Sequence, residues 1–155
     1  MNCCDNQGWT PLHAAARNGH LDIVRLLLNH AVDIQVRNAF HETPLILASI
    51  GGHVEVSRFL IEHQADVNSV RDGDWTSLHF ASQHGHADIV QLLHDYGANL
   101  NVRNVYLSAP IDLASAYGHL KVTEMLIDRG ADIDVRNERQ EAPLGLTSRN
   151  GERAS

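Results

Sequence analysis

Apolar positions along this chain recur with a period of 33 residues. One stripe, Ile23, Val24, Leu26 and Leu27, returns as Val56, Ser57, Phe59 and Leu60. It returns again as Ile89, Val90, Leu92 and Leu93, then as Val122, Thr123, Met125 and Leu126. Apolar residues at i, i+1, i+3 and i+4 cover one broad helical face. The pattern predicts helices over 21–28, 54–61, 87–94 and 120–127. A shorter cluster precedes each of them. Thr10-Pro11-Leu12-His13-Ala14-Ala15-Ala16 recurs from Thr43, from Thr76 and, in weaker form, from Ala109 and Ala142, with no insertion between copies.

This shorter cluster predicts a first helix of about two turns. All four prolines (Pro11, Pro44, Pro110, Pro143) share one slot. Proline suits the first helical turn, where an N–H has no partner to lose. Thr10 and Thr43 precede it as N-caps. Gly19, Gly52, Gly85, Gly118 and Gly151 follow at one fixed offset, where glycine stops a helix in the left-handed conformation. Polar stretches such as Asp33-Ile34-Gln35 and Asp66-Val67-Asn68 read as extended turns between units. A fixed period of this length specifies stacked units rather than a globule around one cleft.

Helix, turn, helix and extended turn at this period resemble the ankyrin repeat family. The resemblance rests on the Thr-Pro-Leu-His motif, on the pairs Gly19-His20, Gly52-His53, Gly85-His86 and Gly118-His119, and on the ending Gly130-Ala131-Asp132-Ile133. It implies an all-α repeat solenoid, with helix-turn-helix repeats joined by extended β-turn or hairpin loops. Residues 1–155 then form one domain, with repeats at about 5–37, 38–70, 71–103 and 104–136 and a partial fifth at 137–151. The family shares an architecture and not a partner. It implies a non-enzymatic module that binds another protein, or else a structural spacer or regulatory segment of a larger protein with intramolecular contacts.

Charge and composition narrow the partner. A formal net charge of −7 disfavours nucleic acid and anionic membranes. No apolar run is long enough to span a bilayer. The start, Met1-Asn2-Cys3-Cys4-Asp5, lacks the pattern of a secretion signal. The only cysteines are adjacent, which fits a reducing compartment. The expectation is an intracellular monomer, cytoplasmic or nuclear, with no cofactor. Of the histidines, His13, His79, His20, His53, His86 and His119 match slots that in the family are structural. His30 and His63 lie on neighbouring units, too far apart to share a metal. No Ser-His-Asp arrangement or glycine-rich phosphate loop is present.

In proteins that look like this, partners dock on turn tips and on the concave side of the first helix. Mapped here, those offsets select Trp9, Arg17, Arg37, Phe40, Glu42, Ile50, Trp75, His84, Arg103, Val105, Tyr106, Tyr117 and Arg136 as partner-binding candidates. Five of the eight aromatic residues fall in this set. Aromatic side chains are common interface anchors. Phe40, Tyr106 and Tyr117 have no capping or packing reason to be there. Trp9 and Trp75 can equally well cover their turns. Arg37, Arg103 and Arg136 form a row, with Arg71 slipped by one. Such a row suits carboxylates or phosphates, but the overall acidity favours pairing of each Arg with a nearby acid such as Asp33 or Asp132. The resemblance also implies possible asparagine hydroxylation at Asn68 and Asn101. Ala109 and Ala142 lose the Thr cap, and Asp112 and Gly145 lose the motif histidine, so the later units should be weaker.

Overall fold

The protein is described by a computed structural model over residues 4–133. Arg136 and the partial fifth repeat, with Ala142 and Gly145, lie outside the described residues. Within them are four helix pairs. The first helices are α1 (Pro11–Asn18), α3 (Pro44–Gly51), α5 (Ser77–Gln83) and α7 (Pro110–Ala116). The second helices are α2 (Leu21–Asn29), α4 (Val54–Glu62), α6 (Ala87–Asp95) and α8 (Leu120–Asp128). One short antiparallel ladder, β1 (Val70–Arg71) with β2 (Trp75–Thr76), closes the third loop.

Two rows of helices share one core. The first helices pack in the order α1, α3, α5, α7, and the second in the order α2, α4, α6, α8. Leu12, Leu45, Leu78 and Ile111 are buried at one recurring position of the first row. Ala16, Ala48, Ala81 and Ala114 are wholly buried beside them. These small side chains let neighbouring helices approach closely, which keeps the interior dense. Val24, Val56, Ile89 and Val122 complete the core from the second row. Each unit therefore leans on the next through the stripe that the sequence repeats.

The caps form as their chemistry requires. The Oγ1 atoms of Thr10, Thr43 and Thr76 accept from the N–H of His13, Ile46 and His79 at 3.4, 3.3 and 3.3 Å. Ala109 has no such oxygen. Asp112 keeps the other half of the box, its Oδ2 accepting from the Ala109 N–H at 2.8 Å as the His13 and His79 rings accept from Thr10 and Thr76. Ala109 thus lacks the Thr side-chain cap, as expected, while the role of the motif histidine is kept by Asp112.

The loops take two forms. In three of them a side-chain oxygen folds the turn. Asp5 Oδ1 accepts from Gln7 and Trp9, Asn38 Oδ1 from Phe40 and Glu42, and Asn104 Oδ1 from Tyr106 and Ser108. The third loop has Arg71 in that slot and becomes the β1–β2 hairpin instead.

Second helices end at a residue of positive φ: Ala31 (58°), Gln64 (73°), Gly97 (89°) and Gly130 (87°). A side chain there costs about 1–2 kcal/mol. Replacing it with glycine loosens the unfolded chain by roughly 0.4–1 kcal/mol. Gln64→Gly should therefore stabilise the protein by about 0.5–1 kcal/mol. The check is a urea midpoint at neutral pH; an unchanged or lower midpoint would count against it.

Candidate functional site

Two structural ladders hold the surface on which the candidate residues stand. The first is built from the Gly-His pairs. His53 Nε2–H donates to the carbonyl of Arg17 at 2.9 Å, His86 to Ile50 at 3.3 Å and His119 to Gln83 at 2.8 Å. Each acceptor closes the first helix of the preceding unit. The bonds therefore fix the helix ends carrying Arg17, Ile50, His84 and Tyr117 in one row. A Cβ on Gly19 would stand 2.4 Å from the ring of His53, and one on Gly85 2.5 Å from that of His119. The glycine slot thus serves the neighbouring unit as well as its own turn.

The motif histidines make the second tie. His13 Nδ1 accepts from the Thr10 N–H at 3.1 Å, and its Nε2–H reaches the carbonyls of Val36 and Glu42, each at 3.1 Å. His79 repeats this with Thr76 at 3.1 Å and Ser108 at 3.0 Å. Each imidazole staples its own helix start to the next loop. Both rings are fully buried. Burial lowers the pKa of His13 and pushes that of His79 down to about 4, against the smaller opposing pull of the carbonyls. Burial raises the Asp112 carboxyl, with Ala109 N–H and Arg103 pulling the other way.

The loop tips are also bonded to one another. Ala39 N–H donates to Gln7 O at 2.8 Å, Asp72 to Phe40 at 3.2 Å and Val105 to Gly73 at 3.0 Å. Phe40 (45% exposed) and Tyr106 (55%) are thereby presented from fixed backbone, with Val105 also exposed. Tyr117 (56%) stands in the helix-end row, its Oη accepting from Gln83 Nε2 at 3.1 Å. Arg17, Arg37 and His84 are exposed, while Ile50 and Arg103 are half-buried. Leu107, exposed on the same tip as Tyr106, escaped the sequence reading, which took no position at that offset. Its φ of 60°, matched at His41 and Asp74, is a backbone property with no residue-type signature here.

Trp9 and Trp75 are half-buried against their motif histidines, with ring centroids 5.9 and 5.7 Å apart. Trp75 also stacks on Phe80 at 5.0 Å. These contacts are those of turn covers.

Glu42 requires correction. It is only 5% exposed, and both carboxylate oxygens are taken: Oε1 by Arg71 Nη1 at 2.6 Å, Oε2 by Asn38 Nδ2 at 2.8 Å. The arginine pairing with acids holds at Arg71 and is corrected at Arg37. Arg37 Nη1 donates to the carbonyls of His41 and Val70 rather than to Asp33, and Arg71 reaches back one unit to Glu42.

Asn68 and Asn101 are exposed, yet their amides are in use. Asn68 Oδ1 accepts from Asn99 N–H at 2.9 Å and its Nδ2 donates to Gly97 O at 3.3 Å. Asn101 Oδ1 accepts from Asp132 N–H at 2.8 Å. Among the described residues no three His, Cys, Asp or Glu side chains converge to hold a metal ion, and no helix is long and apolar enough to cross a membrane.

Comparison with known proteins bears on this arrangement. Family models described as ankyrin repeats match residues 1–71, 60–114 and 108–138. Thirty-four residues are 53% identical to ankyrin repeat domain-containing protein 49 of Bos taurus, covering 22% of this chain and 14% of that protein. Thirty-one are 58% identical to the 2-5A-dependent ribonuclease of Mus musculus, covering 20% of this chain and 4% of that one. Thirty are 57% identical to ankyrin repeat and SAM domain-containing protein 1A of Homo sapiens, covering 19% and 3%. The similarity thus spans about one unit and only a small part of each relative.

Proposed function

The chain belongs to the ankyrin repeat family, whose repeats are generally protein–protein interaction modules, and we propose that it is a non-enzymatic module binding another protein through its loop tips and first-helix ends. The observation that carries this is the exposure of Phe40, Val105, Tyr106 and Tyr117 on backbone that cross-unit bonds hold in place. Large aromatic rings left open on a fixed surface are suited to anchoring a partner. Preorganised backbone lowers the ordering cost of docking. Arg17, Arg37, Ile50, His84 and Arg103 flank them. Trp9 and Trp75 support the turns beneath, and Glu42 acts from inside by fixing Arg71.

The test is affinity capture with the parent and with a Phe40→Ala, Tyr106→Ala, Tyr117→Ala variant of matched melting midpoint. All three side chains are exposed, so the fold should survive. A protein retained by the parent and reduced at least about tenfold with the variant, a loss of about 1.4 kcal/mol, is the expected result. Equal retention would move the contact surface elsewhere. Absence of specific capture by either would favour the spacer or regulatory-segment reading, with contacts inside a larger protein.

A further inference from the structure

The charge of this protein is unevenly placed. Among the described residues the exposed carboxylates stand on the second helices, such as Asp22, Glu55, Asp88 and Glu124, or in the loops. The first helices carry a single acid, Asp112, and it is buried. Their ends instead present Arg17 and His84, both exposed. The His84 ring lies 5.8 Å from that of His86. Arg17 from α1, His86 after α5 and His119 after α7 all act on His84 with one sign, while α3 contributes only uncharged Ile50 and Gly51. Asp88 of α6 lines, with Lys121 and His86, a cavity of about 300 Å³ that His84 does not line.

We propose that the row of first-helix ends around Arg17, His84 and Tyr117 receives an acidic peptide segment of the partner. The assignment rests on the reading of the chain as a protein-binding module and names the chemistry of what it binds. Three features make the fit. The exposed row is acid-free on a chain of net charge −7, so a carboxylate-rich segment meets fewer like charges there than on the second helices or loops. Tyr117 Oη already accepts from Gln83, which leaves its O–H to donate outward. An anion seated beside His84 offsets the repulsion that His86, His119 and Arg17 exert on its charged form. Burial, with that repulsion, holds the free His84 below the usual histidine value. Docking therefore draws a proton onto His84, and binding tightens as pH falls.

The probe is a ten-residue polyglutamate peptide, titrated into the full isotope-labelled chain at pH 7.5 and pH 6.0 in low salt, with amide shifts as the readout. Shifts should centre on Arg17, Gln83, His84 and Tyr117, with affinity at least about threefold higher at pH 6.0. They should vanish in an Arg17→Ser, His84→Gln variant, whose exposed side chains leave the fold intact. Shifts confined to the loop tips or second helices, affinity independent of pH, or no shifts at all would each overturn the proposal. The aromatic-variant capture reads partner retention whatever the partner's charge, so failure here leaves the protein-binding reading to be judged separately.

Discussion

Lowering the pH from 7 to 5 should cost this protein about 2 kcal/mol of stability through His79 alone, with His13 adding to the loss. The sign follows from burial. The unfolded imidazole takes a proton near pH 6.5, whereas the folded ring, held at about 4, does not. The unfolded state therefore binds more protons throughout that window, and stability declines as pH falls from 6.5 to 4. A proton on Nδ1 would also abolish the acceptor that Thr76 N–H uses. Urea denaturation at pH 7 and pH 5 measures the slope. His79→Gln isolates its origin, because glutamine at this helix position can still accept from the cap N–H but does not titrate. The variant should lose less stability than the parent between the two pH values. A parent with equal stability at both would refute the argument.

The second large effect is expected from Gly85→Ala. The backbone there has φ +74°, and the new Cβ would stand 2.5 Å from His119 Nδ1. An alanine in the left-handed region costs about 1–2 kcal/mol. Displacing the ring breaks its bond to Gln83 O, worth about 1 kcal/mol more. The total should be about 2–3 kcal/mol. Gly97→Ala is the control, since it shares a positive φ (+89°) but has open space where the Cβ would go. It should bear the backbone cost only. Equal losses in the two variants would mean that the His119 ring yields freely and that the Gly-His tie contributes little.

The helices were legible because their signals are local. Proline, threonine and glycine mark the ends, and apolar spacing marks the faces. The histidine slots were recognised through the family resemblance, but their acceptors lie up to 36 residues away. No local pattern names a carbonyl. Asp112 was read as a lost motif histidine, although a carboxylate can accept the same backbone N–H. Glu42 was misplaced for a different reason. Its offset belongs to exposed turn positions, but the one-residue slip that puts Arg71 in the Asn slot of the next loop supplies a cation to draw it inward. Tyr106 and Tyr117 stand where their offsets placed them, whereas Leu107 went unnoticed because nothing in its type marks a left-handed tip.

Apart from the Arg37 bond to the His41 carbonyl, every side-chain tie named between units spans between 29 and 36 residues. None of these ties joins units that are not neighbours. Pulled by its ends, such a chain behaves as a spring of coupled links, in which each unit peels from its neighbour without first breaking a clasp across the whole array. Re-forming a link requires only a short loop to close. Stretch is therefore expected to be recovered stepwise, with the remaining units keeping their faces intact under load.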